Sequence, residues 1–161
     1  MNLGHILFSF SGRINRAKWW LAVLITIIIH VVVYLLTLVA PEGVVNLVAF
    51  VVGIAALWIA LASGAKRLHD LNRSAAWLVV FVGGPILLIL VFFAYAGISV
   101  GAAIVSGQEL SPQDMARVGG AGLIFGVLYL ALLVWALIWF GCLRGTVGPN
   151  QYGADPLEGR A

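Results

Sequence analysis

The sequence predicts an all-α, polytopic membrane protein: a bundle of four transmembrane helices, with a short interfacial segment before them and an irregular tail after them. Three observations carry this. The apolar fraction is 63% and the charged fraction 9%, whereas soluble domains run near about 45–50% and about 25%. The apolar residues gather into four runs of spanning length. The nine lysines and arginines lie outside those runs, and all but one are sorted to one side. A soluble fold of this size has nowhere to hide so much apolar surface, so the bilayer is its solvent. The 161 residues read as a single integral membrane domain.

The first run covers residues 19–40 and ends at Pro41-Glu42-Gly43. It exceeds the roughly 20 residues a spanning helix needs. Arg13, Arg16 and Lys18 ahead of it imitate the start of a signal peptide. A signal peptide's apolar part is only about 7–15 residues long and ends at a cleavage site, so this run is a retained anchor. The second run covers 44–65. The three residues before it only reverse the chain, which makes runs one and two an antiparallel hairpin.

The third run covers 75–106, roughly 48 Å of helix at about 1.5 Å per residue, against a hydrocarbon core about 30 Å thick. It must tilt, bend or protrude, and Gly83-Gly84-Pro85 offers the bend. The fourth run covers 118–143. Before it, Ser111-Pro112 reads as a cap and first helical residue in a polar loop. The tail, 144–161, is rich in glycine and proline and has no apolar period.

Orientation follows from the basic residues. Arg13, Arg16, Lys18, Lys66, Arg67, Arg73, Arg144 and Arg160 fall on one side, and Arg117 alone on the other. The positive-inside rule then puts both termini in the cytoplasm of a bacterial inner membrane. Trp19, Trp20, Trp58, Trp77, Trp135 and Trp139 all fall in the same half of their helices, at the headgroup boundary or packed between helix ends. No basic face exists within a soluble domain, so nucleic acid is not a partner. Membrane lipids are. Cys142 makes no disulfide and joins no zinc pattern. It reads as a small apolar filler, with palmitoylation as the alternative. No cofactor is implied.

Three polar segments carry whatever chemistry there is. The first is residues 8–20; Leu3, Ile6, Leu7 and Phe10 have helical spacing, so the stretch before Ser11 suits an interfacial piece. Gly12 permits a turn, and Asn15 can cap the first helix. In residues 66–77, Lys66 and Asp70 stand four apart and are placed to pair. Ser74 or Asn72 can cap the third helix. His69 beside Asp70 suggests acid–base chemistry, but helix neighbours do not face each other, and a nucleophile and a third metal ligand are both missing. In residues 145–156, glycines can offer N–H groups to an anion. The phosphate-loop pattern is absent, and successive turns account for the composition.

The order F-x-G-R-x-x-R-x-x-W-W, then R-L-H-D-x-x-R-S-x-x-W, then G-T-x-G-x-N-x-Y-G-x-D-P resembles the YhaH-like family of small bacterial inner-membrane proteins, a domain of unknown function. The resemblance runs from about Phe8 to Pro156. Lys66, where that family more often has a second arginine, and a longer loop around Glu109 depart from it. It implies a topology and a location, and no activity. Its recurrent residues fall here on Gly12, Arg13, Arg16, Trp20, Arg67, His69, Asp70, Arg73, Ser74, Trp77, Gly145, Asn150, Gly153 and Asp155.

Within the membrane, His30 shares a helix face with Thr26 and Tyr34, a polar stripe that suits a hydrogen bond to a neighbouring helix or a transport path. No Asp or Glu lies within the predicted spans, which argues against a proton-coupled exporter. Gly97 and Gly101, Gly122 and Gly126, and Ala56, Ala60 and Gly64 have the spacing for close helix contact or self-association.

The sequence supports three readings of function. The first is a non-enzymatic protein that binds lipid or a membrane-protein partner through Arg13, Arg16, Lys66, Arg67, His69, Asp70, Arg73, Asn150 and Asp155. The second is a small channel or transporter component built on His30. The third is an enzyme using His69 and Asp70. The first is preferred. It turns on whether the arginines point outward or pair with Asp70 and Asp155.

Overall fold

In a computed structural model, which describes residues 2–107, 109 and 111–158, the protein is all-α. Its helices are α1 (Leu3–Phe8), α2 (Arg16–Leu36), α3 (Glu42–Asp70), α4 (Gly84–Ser106) and α5 (Pro112–Leu137). A 3-10 turn lies at Ala75–Trp77, and π-helical turns lie at Val79–Gly83 and Ile138–Cys142. Four helical stretches are long and apolar enough to cross a membrane: Arg16–Leu36, Glu42–Asp70, Ala75–Ser106 and Pro112–Cys142. The chain divides into two compact units, Met1–Leu78 with Ile138–Ala161, and Val79–Leu137.

In the first unit, α2 begins at Arg16, ahead of the expected residue 19. Asn15 is the reason: its side chain accepts from the Lys18 N–H at 3.0 Å and satisfies an orphan donor of the first turn. The helix ends at Leu36 and tightens into short turns, with Val39 N–H donating to Leu36 at 3.2 Å. Pro41 disfavours helical backbone at the residue before it. Pro41 then caps α3, and Glu42 and Gly43 form that helix's first turn and not a reversing loop.

At its other end α3 runs past residue 65 to Asp70, so the second polar segment is largely helical. Asn72 stops it, not as a cap for the next helix but in the left-handed region at φ 56°. The Arg73 N–H reaches back to Leu68 at 2.8 Å and the Asn72 N–H to His69 at 3.0 Å. This double closure satisfies the last carbonyls. Ser74 caps the 3-10 turn, accepting from Ala76 N–H at 3.2 Å. Helix α1 forms as expected and buries Ile6 and Leu7 with Ala22 and Ile59. It therefore packs on protein, while Leu3, Phe8 and Phe10 stay exposed.

In the second unit the expected bend is a π-helical turn over Val79–Gly83. Pro85 lacks an N–H and its ring crowds the carbonyl of the preceding turn, which is relieved by widening the helix. Gly107, at φ 65°, ends α4. Helix α5 starts at Pro112, not 118. Ser111 accepts from Asp114 N–H at 3.1 Å and donates to the Asp114 carboxylate at 2.7 Å. Helices α4 and α5 pack through Phe92 against Phe125, with ring centroids 5.8 Å apart, through Gly122, over which Phe92 lies, and through Gly84, approached by Leu132. Gly97, Gly101 and Gly126 have no neighbour within 4 Å of a Cβ position, so of the four glycines expected to make close contacts here only Gly122 does; in the first unit the expected Gly64 is closely approached by Leu78. With the observed bounds, Glu42, Asp70 and Asp114 fall inside helices, at their ends, where the sequence had suggested carboxylate-free spans.

Candidate functional site

The three polar segments meet in the first unit. Gly12, at φ 85°, turns the chain so that Arg13 and Ile14 point inward, and Ile14 N–H donates to the Lys66 carbonyl at 3.3 Å. Arg13 is buried and faces Asp70: its Nε and Nη2 donate to Asp70 Oδ1 at 3.2 and 3.1 Å. Arg67, fully buried, donates from Nη1 to Asp70 Oδ2 at 2.7 Å. One carboxylate thus stands between two guanidinium groups. Breaking such a buried pair by removing one partner costs about 3–5 kcal/mol, because the other charge is left uncompensated.

Three buried cations against one carboxylate leave positive charge over, and backbone carbonyls take it up. Arg13 donates to the carbonyls of Thr146 at 2.6 Å, Gly148 at 2.8 Å and Gly153 at 3.2 Å. Lys66 does not pair with Asp70 as its spacing suggested. Its Nζ donates to the His5 carbonyl and to the Ile6 carbonyl at 2.7 Å, in the last turns of α1, where a helix presents partial negative charge.

A second set of carbonyls belongs to the π-helical turn Ile138–Cys142 and the residue after it. A helix leaves its last four carbonyls without helical partners. Here each of four in succession accepts from a side chain. Arg67 Nε donates to Phe140 at 2.8 Å, Trp20 Nε1 to Gly141 at 3.3 Å, Arg16 Nη1 to Cys142 at 3.2 Å, and Arg67 Nη2 to Leu143. A Cβ on Gly141 would lie 2.7 Å from the Trp20 ring, and one on Gly145 would run into the Asp70 carboxylate. Both glycines are therefore required by close approach. Cys142 is exposed and is not the buried filler expected of it. Only its carbonyl is used.

The tail closes over this node. Thr146 N–H donates to the Asp70 carbonyl at 2.8 Å, and Asn150 Nδ2 donates to the His69 carbonyl at 2.9 Å. Asp155 accepts from Leu157 and Gly148 N–H groups at 2.9 and 2.8 Å. These two amides hold its carboxyl below the usual carboxylate range. The His69 ring stacks on Tyr152 with centroids 4.0 Å apart, and its Nδ1 lies 3.2 Å from the Gly12 carbonyl. His69 and Asp70 therefore address different partners.

Of the residues singled out from sequence, Arg13, Lys66, Arg67, His69, Asp70, Asn150 and Asp155 meet here. Arg16 sits at the rim, and so does Arg73, whose guanidinium lies 5.7 Å from the Trp139 ring centroid. The expectation of outward-facing cations fails for Arg13, Lys66 and Arg67, which are buried. Arg160 lies outside the described residues. His30 is apart, exposed on α2, and its Nδ1 is 2.7 Å from the Thr26 carbonyl of its own helix, not on a neighbouring one. Sequence reasoning missed Thr146, Gly141, Tyr152 and Arg144. The four carbonyls at the end of a helix were the available signal, since they require donors and the first motif is rich in them.

Beside the node opens a cleft of about 490 Å³, lined by Asn15, Arg16, Arg144, Thr146, Asp155 and Glu158 among others.

Residues 7–154 match the model of the family described as "Protein of unknown function (DUF805)". The match takes in the first two motifs and all but the end of the third. The chain is 34% identical to "Inner membrane protein YhaI" of Escherichia coli (strain K12) over 151 residues, 94% of this chain and 88% of the relative. It is 31% identical to "Uncharacterized protein YiiR" of the same strain over 160 residues, 98% and 92% of the two chains. No solved structure matches the chain.

Proposed function

The chain belongs to the DUF805 family of proteins of unknown function, and on that premise we propose that it is a non-enzymatic, multi-pass inner-membrane protein that holds phospholipid headgroups at its cytoplasmic end. The location is supported by the name of one relative and by four helices of spanning length. The orientation, with both termini inside, is supported by the sorting of lysine and arginine.

One observation carries the binding reading: the cations divide into two sets. Arg13, Lys66 and Arg67 are buried and bonded internally, while Arg16, Arg73 and Arg144 are exposed. The exposed set lies on the unit that also carries Trp19, Trp20, Trp58, Trp77 and Trp139, residues that favour the headgroup boundary. Guanidinium forks suit phosphate oxygens. The enzyme reading loses support because Asp70 is occupied by two arginines and His69 is turned away from it. The transport reading rests on His30 alone, whose Nδ1 is taken by its own helix.

Native mass spectrometry of the protein extracted from its own membrane tests this. Retained phospholipid should fall sharply in the triple variant Arg16→Gln, Arg73→Gln, Arg144→Gln. Equal retention would overturn the reading. A reporter fused to the C-terminus should be active only when it functions in the cytoplasm.

A further inference from the structure

The cleft beside the node differs from the rest of the basic end in its charge. Arg16 and Arg144 line it, and so do Asp155 and Glu158. Asp70 also borders it, but its two oxygens already accept from Arg13 and Arg67. The groups available to a ligand are therefore two cations and two carboxylates. At about 490 Å³ the cleft falls within the roughly 300–1,000 Å³ typical of small-molecule pockets.

The donors and acceptors are not used up. Arg16 commits only Nη1, to the Cys142 carbonyl, which leaves the rest of its five-donor fork. Asp155 accepts one amide on each oxygen, and a carboxylate offers about four acceptor sites. Asp155 stays ionised, because those amides favour its charged form. The Arg144 charge acts on Asp155 without forming a contact pair with it. Both signs remain open in one cleft.

From this balance we infer that the cleft binds a phosphoethanolamine group, with the phosphate on Arg16 and Arg144 and the ammonium on Asp155 and Glu158. A purely anionic headgroup would meet the two carboxylates. A phosphocholine group has no N–H to donate, and quaternary ammonium is held by aromatic cages. None of the described lining residues is aromatic. A primary ammonium brings three donors, as a lysine does. The inference rests on the headgroup reading above, which places this end at the membrane surface. Its source is the phospholipid, and a soluble ester carries the same chemistry.

The test is native mass spectrometry of the detergent-solubilised full chain, titrated with phosphatidylethanolamine, phosphatidylcholine and phosphatidylglycerol of the same acyl chains. Phosphatidylethanolamine should be held best. Glu158→Gln should weaken it about tenfold, roughly the value of one charge-assisted hydrogen bond, and should not weaken phosphatidylglycerol. Arg144→Gln should weaken both. Glu158 is exposed, so its variant tests binding and not folding. Phosphatidylcholine held as well as phosphatidylethanolamine, or indifference to Glu158→Gln, would overturn the inference. If phosphatidylglycerol is held best and is lost with Arg16→Gln and Arg144→Gln, the zwitterion assignment fails and the headgroup reading stands. If no phospholipid is held, both fail. Displacement of the lipid by equimolar glycerophosphoethanolamine would overturn the lipid as the source, and failure to displace it supports the lipid.

Discussion

The helix pair within Val79–Leu137 is held by rings and close approaches at glycines, while the unit formed by Met1–Leu78 and Ile138–Ala161 is held by buried charge. In the helix pair, the side-chain hydrogen bonds of the serines are local. Ser99 donates to Tyr95 and Ser106 to Ala103, and Ser111 pairs with Asp114. Its described ion pair, Arg117 with Asp114 at 3.6 Å, is largely exposed. In the charged unit, Arg13 reaches Gly153, 140 positions away in sequence, and Arg67 reaches Phe140, 73 away. Among the described residues, Phe81 is the one buried apolar side chain of the helix pair, and all the others belong to the charged unit. Lipid is as apolar as leucine and gives helices little reason to choose partners. Where the chain must choose one arrangement of distant segments, unmatched carbonyls and buried guanidinium groups supply the choice, because each left unpaired costs about 1–3 kcal/mol or more.

The sharpest way to break this comparison is to remove the carboxylate. Asp70→Ala leaves Arg13 and Arg67 buried without a counter-charge and should cost about 3–5 kcal/mol. Asp114→Ala in the other unit should cost about 0–1 kcal/mol. Reversible unfolding in mixed micelles reads both, and equal losses would erase the distinction. Next come the glycines. Gly145→Ala drives a methyl into the Asp70 carboxylate and Gly141→Ala drives one into Trp20, so each should cost about 1–3 kcal/mol. Gly126→Ala meets open space and should be neutral or stabilising by up to about 1 kcal/mol. The same unfolding assay decides, and a destabilised Gly126→Ala would show that its face is packed in the membrane.

Acid should loosen the tail where Asp155 holds it. The native Asp155 carboxyl is held below its usual range, so its contribution is complete above that range and is lost as pH falls through the depressed native value. Amide exchange at Gly148 and Leu157, corrected for intrinsic rate, should rise only on acidification below the usual carboxylate range. In Asp155→Asn it should be fast at every pH. Fast exchange in the wild type at neutral pH would show that the tail is not seated. The smallest effect belongs to His30. Its one described bond lies within its own helix, so His30→Ala should shift stability by about 0.5 kcal/mol or less. A larger loss would mean that the exposed face of α2 has a partner.

Much of the fold was legible in the sequence, and the errors have physical causes. The first spanning helix begins at Arg16 and not at residue 19, because a hydropathy reading starts at the first apolar residue and a helix starts at its cap, Asn15. The second span reads as ending at residue 65 because residues 66–70 are charged. They stay helical because each charge finds a carbonyl or carboxylate. The node itself was half legible. Arg13, Arg67, Asp70, Asn150 and Asp155 all stood in the three motifs, and internal pairing with the aspartates was one of two open outcomes. What could not be read was the part played by backbone. Carbonyls of Thr146, Gly148 and Gly153 carry no signature in a residue alphabet, and the helix-end carbonyls of residues 140–143 show a need for donors without showing which donors meet it; together they receive most of the donors.

By itself, then, the sequence determined the number of spans, the sorting of charge between them and the turn chemistry of the tail. These depend on composition and local period, which are properties of short stretches of chain. Only the tertiary structure decided which cations are buried and bonded inside and which stay exposed. That outcome depends on which carbonyls end up opposite Arg13 and Arg67 once segments 57 to 140 positions apart are brought together, and nothing local encodes that distance.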